Sequence, residues 1–267
     1  MTQPTAAFAA DSPLVAVIVP AVNREPRRNG LEPDLLLLHY TGMRSAAAAI
    51  DYLARADSKV SCHYVVDVDG RITQQVPECE RAWHAGVSCW AGETDINSCS
   101  IGIEIQNPGH DLGYPDFTAR QMQSVIDLGL EIVARHGIPP ARVLAHSDVA
   151  PLRKIDPGEK FDWAWLAAHG LGAWVIPSPP RDDDLGLDAG SAPPAIQAAV
   201  ALFERYGYDL DVGGDYTERS IAAVKAFQRH FRPQRIDGRI DLSTLATLER
   251  LLAAYPAATT RLGSSTS

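Results

Sequence analysis

Three residues of this chain are of the types, and follow the kinds of segment, that a hydrolytic metal centre needs. His39 closes the run Leu35-Leu36-Leu37-Leu38. His146 closes a second apolar run ending Leu144-Ala145, and Asp156 follows it in Arg153-Lys154-Ile155-Asp156-Pro157-Gly158. Each apolar run is too short for a helix and reads as a buried strand. Open α/β sheets carry their chemistry at the C-terminal ends of such strands. Two imidazoles and a carboxylate suit a catalytic zinc, because three protein ligands leave a fourth position for water.

Spacing alone leaves rivals. Asp148, two residues after His146, is an alternative third ligand, or a turn cap before Val149-Ala150-Pro151. His63 and His84 are alternative nitrogen donors. A histidine at a strand end also serves as a buried structural group in many folds.

The elements that would position these residues can be read in order. Leu14 to Val19 is a β-branched strand stopped by Pro20, and Asn23 to Gly30 a loop with Pro26 and three arginines. Ser45 caps a helix running to Arg55. Cys62 to Val68 and Arg71 to Val76 flank Asp69-Gly70, a hairpin signal. Ala82 to Asn97 is loop-like and carries Trp83-His84-Ala85-Gly86 and Trp90. Ser100 to Gln106 alternates, with Ile101, Ile103 and Ile105 on one face and Gly102, Glu104 and Gln106 on the other. Thr118 to Gln121 reads as a capping box opening a helix that ends at Gly137. Strands alternating with helices over this stretch give an α/β domain, a mainly central β-sheet flanked by helices, expected to span residues 1–176.

From Pro177 to Pro194 prolines, glycines and Asp182-Asp183-Asp184 mark a linker. Three amphipathic patterns follow: Ile196/Val200/Phe203, Ile221/Val224/Phe227 and Leu245/Leu248/Leu252. Gly213-Gly214 and Asp237-Gly238 separate them. They predict a three-helix domain over residues 195–256, with a tail at 257–267.

Composition narrows the function classes. With 267 residues, 46% hydrophobic and 21% charged, the chain describes an ordinary globular protein. A net charge of −9 argues against a nucleic-acid surface and a polybasic membrane anchor. Cys62, Cys79, Cys89 and Cys99 form no C-x-x-C pair, so a thiolate zinc site is not expected and reduced thiols are. The first basic residue is Arg24, and the apolar stretch from Leu14 to Pro20 is too short to span a bilayer. With Met1 as the start, these features predict a cytoplasmic protein without membrane insertion.

The sequence resembles the zinc-dependent N-acetylmuramoyl-L-alanine amidases of the type-2 amidase family, related to phage amidases and peptidoglycan recognition proteins. The likeness rests on Leu38-His39-Tyr40-Thr41, Ser61-Cys62-His63-Tyr64, Ala82-Trp83-His84-Ala85-Gly86, Ser100-Ile101-Gly102-Ile103-Glu104, and Ala145-His146-Ser147-Asp148 through Gly158. These stretches stand in the family's order, across roughly residues 14 to 172. The resemblance assigns zinc to His39, His146 and Asp156 and leaves Asp148, His63 and His84 outside the ligand set. It implies Glu104 as catalytic acid and base. Lys154, two residues from Asp156, is then set to face the same pocket and stabilise an oxyanion. Without the resemblance, Glu104 reads as a half-exposed strand carboxylate and Lys154 as a solvated loop charge. Trp83 and His84 are expected to line the glycan or peptide groove, and His63 to brace the core.

The C-terminal part resembles the three-helix peptidoglycan-binding domain through Thr217 to Gln228 and Asp237 to Leu245. Asp241 departs from that pattern, standing where such modules carry a second glycine. Two function classes are in play: an amidase cleaving the bond between the lactyl group of muramic acid and L-alanine, or a recognition module that has lost its metal. All three ligands are present, so the enzyme is expected. Its substrates would be muropeptides, in 1,6-anhydro form, met during wall recycling; the appended module fits the intact wall instead.

Overall fold

The computed structural model describes residues 8–210 and 215–256. The Gly213-Gly214 turn and the 257–267 tail lie outside the described residues. In chain order the elements of the first part are β1 (Val15–Ile18), β2 (Arg24–Pro26), β3 (Leu35–Tyr40), α1 (Ala46–Ala54), β4 (Tyr64–Val66), β5 (Ile72–Gln74), β6 (Glu80–Ala82), α2 (Ile96–Cys99) and β7 (Ser100–Ile105). Then come α3 (Ala119–His136), β8 (Val143–Ala145), α4 (His146–Val149) and α5 (Trp163–Ala168), followed by α6 (Pro193–Tyr206), α7 (Glu218–Phe231) and α8 (Leu242–Ala254).

Six strands form a mixed sheet in the order β1-β5-β4-β7-β3-β8, parallel at every pairing but the β4–β5 hairpin. Gly70 makes that hairpin at φ +84°, and a Cβ there would lie 2.6 Å from Ser124 Oγ. Glycine is needed for both reasons. The segment expected as a loop before Gly30 contains β2, which pairs antiparallel with β6 in a separate ribbon. Arg27, just past β2, has a role that composition hid: the guanidinium donates to the carbonyls of Glu78, Ser98 and Ser100 at 2.7–3.1 Å.

Ser45 Oγ caps α1 by accepting from Ala48 N–H at 3.2 Å. Thr118 caps α3 in the same way, but the capping box is only half made. Gln121 does not reach back to Thr118; its amide donates to the carbonyls of Gln106 (2.8 Å) and Val66 (3.4 Å), tying α3 to the strand ends. Cross-sheet carbonyls near a strand end offered the amide a better partner than its own helix cap.

The alternation of β3 divides the core. Leu36 and Leu38 join Ile101, Ile103 and Ile105 against Met122, Val125 and Ile126 of α3. Leu35 and Leu37 face the other way, in one continuous cluster with Trp90, Leu144 and the helices α6, α7 and α8. All four leucines are fully buried, each contributing about 2 kcal/mol. The three C-terminal helices therefore share one buried cluster with this face of the sheet. The stretch between Pro177 and Pro194 keeps its loop character but lies along them, with Leu187 and Ile240 exchanging backbone hydrogen bonds at 2.9 and 3.1 Å. Asp241 has a structural place: its Oδ1 caps α8 by accepting from Thr244 N–H at 2.7 Å, and it pairs with Arg232 and Arg235. All four cysteines are free. Among the described residues no helix is long and apolar enough to cross a membrane.

Candidate active site

Strand register builds the site. Pairing sets Glu104 of β7 opposite His39 of β3, and Leu38 opposite Ala145 of β8. Side chains at paired positions share a face, so Glu104, His39 and His146, one residue beyond β8, stand in a row across three strand ends. The loop after α4 folds back over this row, held by Ser147 N–H donating to the Asp156 carbonyl at 3.1 Å. It brings Asp156 Oδ2 to 3.1 Å from His146 Nδ1 and 3.3 Å from His39 Nδ1, while the two Nδ1 atoms are 2.8 Å apart. His39, His146 and Asp156 thus converge as the sequence predicts, all three buried. Asp148, the rival third ligand, turns away from them.

The outer ring nitrogens fix the tautomers. His146 Nε2 donates to the Ala85 carbonyl at 3.0 Å, leaving Nδ1 bare. Ser100 Oγ donates to the Ile96 carbonyl at 2.5 Å and so accepts from His84 Nε2 at 3.2 Å. His84 Nδ1 is then an acceptor for His39 Nε2 at 3.0 Å, and His39 Nδ1 is bare as well. Two imidazole lone pairs and a carboxylate crowd one point, which is repulsive unless a cation is there. Donors of a tetrahedral ion with bonds of about 2.0 Å are about 3.3 Å apart, close to the spacings found, so the residues fit a divalent metal.

Burial and close neighbours shift several titratable groups of the site. Burial, with His146 alongside, lowers His39 to a pKa of about 4. Burial would raise Asp156, but His146 and His39 outweigh it and hold the carboxylate far below its usual range. Glu104 is pushed well up by burial and by the charge of Asp156, with Lys154 pulling the other way. Its Oε2 is enclosed and has no hydrogen-bond partner. Tyr40, Thr41, Trp83, Glu104, Lys154 and Asp156 are among the residues lining a cavity of about 470 Å³. A second cavity of about 400 Å³ shares Trp83, His146 and Lys154 with it. A third, about 750 Å³, adjoins the second through Arg81, Gly86 and Arg153 and extends to Asp209 and Arg219 of the helical part.

A family profile for N-acetylmuramoyl-L-alanine amidase matches residues 29–159, and one for a peptidoglycan binding domain matches residues 193–248. The N-acetylmuramoyl-L-alanine amidase AmiD of Escherichia coli (strain K12) is 40% identical over 237 residues, 83% of this chain and 83% of that protein. The chain belongs to the N-acetylmuramoyl-L-alanine amidase family. The 1,6-anhydro-N-acetylmuramyl-L-alanine amidase AmpD of Citrobacter freundii is 34% identical, over 56% of this chain and 87% of its own length. Among solved structures, the E. coli AmiD complex with anhydro-N-acetylmuramic acid-L-Ala-D-gamma-Glu-L-Lys aligns with a TM-score of 0.74 at 35% identity, covering 88% of this chain and 94% of that one. AmpDh3 of Pseudomonas aeruginosa in complex with anhydromuramic pentapeptide aligns at 0.69 and 33% identity, covering 84% and 93%.

In this amidase the two residues expected along the groove both line the cavity, His84 the more deeply buried. Trp83 is half-buried on the cavity wall, its Nε1 without a partner. His84 is 8% exposed, spends both ring nitrogens inside the protein and abuts His39 edge to face at 5.1 Å. Its backbone and that of Ala85 donate to Asn97 Oδ1 at 2.9 and 2.8 Å. His63 is fully buried behind it and accepts from Gly102 N–H at 3.0 Å, the bracing place expected of it. Asn97 and Gly102 carry no functional signal of their own type in the sequence. The signal for Gly102 was a missing side chain on the face that carries Glu104.

Proposed function

We propose that this amidase uses zinc, held by His39, His146 and Asp156, to hydrolyse the amide between the lactyl group of N-acetylmuramic acid, in its 1,6-anhydro form, and L-alanine of the stem peptide. The observation that carries the reading is the convergence of two imidazoles and a carboxylate beside a second carboxylate with an unused oxygen. A zinc ion there supplies Lewis acidity, polarising the scissile carbonyl and acidifying water. Glu104 takes the water's proton and returns it to the leaving amine; its raised pKa suits a group that must hold a proton between those steps. Lys154, which makes no side-chain hydrogen bond or ion pair among the described residues, donates to the oxygen that becomes negative. Trp83 offers its indole face to the substrate. His84 keeps His39 in its metal-binding tautomer, a role that orienting partners of ligand histidines commonly have.

The substrate assignment draws on the relatives whose structures hold anhydromuramic peptides. Residues 1–176 would carry the chemistry, and residues 195–256 would contribute a surface towards peptidoglycan fragments, joined by 177–194. Wall-fragment recycling, in the cytoplasm, is the role proposed. The match of the helical part to a peptidoglycan binding domain favours a second role on intact wall.

The test is mass spectrometry of the products from one purified anhydro-muropeptide, with metal-loaded and chelated protein, and with intact sacculi beside it. Metal-dependent release of a peptide beginning with L-alanine is expected. Glu104→Ala should keep metal and lose turnover, and Asp156→Ala should lose both. Binding of the muropeptide without cleavage in either state would replace the enzyme with a recognition module, and faster release from sacculi would move the role to the wall.

A further inference from the structure

Asp148 sits two residues past His146 and is 1% exposed. Its Oδ2 accepts from Ala145 N–H at 2.8 Å, closing the turn from which His146 projects. Its other two partners come from the helical part, far along the chain. Tyr208 Oη donates to Oδ1 at 2.7 Å, and His230 Nδ1 is 2.7 Å from Oδ2. Among the described residues the Tyr208 hydroxyl has no other hydrogen bond, and His230 Nε2 has no partner. Asp148 is therefore the one polar reason for a tyrosine and a histidine at those buried positions. The His230 ring also stacks on Trp163 at 3.7 Å, at the start of α5 and just beyond the Asp156 loop. The helical part thus grips the segments beyond both of the ligands His146 and Asp156.

We infer that Tyr208 and His230 are positioning residues of the metal centre, holding the His146 turn in place through Asp148. The inference rests on the proposed metal site. A buried carboxylate with three donors is fixed in orientation, and a ligand must be held within a fraction of an ångström for its metal. On this account the helical part completes the catalytic unit, whatever glycan surface it also offers.

The experiment uses the full chain and cobalt(II) as probe, reading affinity by competition with a chelator and ligand geometry from the visible spectrum. Tyr208→Phe removes one oxygen, and His230→Phe keeps the stacking but removes the donor. Each is expected to weaken cobalt binding about tenfold and to alter the spectrum. His230→Asn, whose amide nitrogen can replace Nδ1, should recover most of both. Leu251→Ala, a core change in α8, should lower the melting temperature and leave affinity and spectrum as in the wild type. Wild-type cobalt affinity and spectrum in Tyr208→Phe and His230→Phe, or equal losses in Leu251→Ala, would overturn the inference. A His146→Ala protein that binds cobalt like the wild type would overturn the metal reading itself, and this inference with it.

Discussion

Gly102→Ala gives opposite signs according to whether local propensity or the packing of His84 decides it. Gly102 lies within β7, where alanine is favoured over glycine by about 0.5–1 kcal/mol. By backbone preference alone the substitution stabilises. The structure says otherwise: a Cβ at 102 would stand 2.6 Å from His84 Nδ1, 2.7 Å from Cγ and 2.8 Å from Cε1. To restore ordinary contact at 3.4 Å the ring must retreat by about 0.8 Å. It has little freedom to do so. Asn97 holds its backbone, Ser100 holds Nε2, and His39 faces Nδ1 at 3.0 Å. Overpacking of this kind costs about 1–3 kcal/mol, which exceeds the propensity gain, so a net loss is expected.

The assay is urea denaturation of a double-mutant cycle, with chelator competition for zinc alongside. Gly102→Ala should lower the midpoint and weaken metal binding, because the retreating ring drags on the His39 Nε2 contact. In a His84→Ala background the same substitution meets empty space and should be neutral or stabilising. The coupling energy is then at least about 1 kcal/mol, the range found for residues in contact. A Gly102→Ala protein more stable than wild type, or an equal cost in both backgrounds, would refute the steric argument.

Three further outcomes rest on the same geometry. Burial would raise Glu78, but hydrogen bonds from His136, Arg135 and Tyr64 hold it at about 2 against an ordinary 4.5; this linkage contributes about 3 kcal/mol. A depressed carboxylate stabilises fully above its unfolded pKa and loses that contribution as pH falls towards the folded one. The stability gap between wild type and Glu78→Gln should therefore narrow from about pH 5 down to about pH 2.5; a gap constant with pH, in urea midpoints, would contradict the pairing. Lys154→Ala should lower kcat about 100-fold with little change in KM or metal content, measured by steady-state release of peptide; a KM effect alone would make Lys154 a binding residue. Calorimetry of the full chain should give one unfolding transition, and a chain ending at residue 176 should lose solubility, since Leu35, Leu37, Leu144 and Trp90 would lose their cover. Two separate transitions would show that the two parts fold independently.

How much of this was legible depends on how far along the chain each partner lies. The row Glu104, His39, His146 could be anticipated because each residue is marked by its own strand end or strand alternation. The parallel register that sets Glu104 beside His39 could not, since nothing local to either strand specifies it. His84 looked like a groove residue because its neighbours Trp83 and Gly86 belong to an irregular, exposed-looking segment. It lines the cavity, and its ring also fills the gap left by Gly102, a relation across 18 residues and two elements. Arg27 read as one of three loop charges, yet its partners are backbone carbonyls, which carry no sequence signature at all.

The largest difference concerns the linker and the three helices beyond it. Proline, glycine and three aspartates predict a tether, and the three amphipathic patterns predict a small domain with its own core. Both descriptions of local structure hold, and the helices share one buried cluster with the sheet face of Leu35 and Leu37. The four leucines of β3 already pointed to this. A strand apolar at every position needs cover on both faces, and α3 supplies only one. Among the described residues up to 176 there is no second long amphipathic helix for the face of Leu35 and Leu37. Ala-rich α1 is short and packs near Val65 instead. The missing cover had to come from elsewhere, and α6, α7 and α8 provide it while leaving the His39 end of the same face open to the cleft. The apolar surface the two segments share is the reason a single unfolding transition is expected, and the site lies where the cover stops.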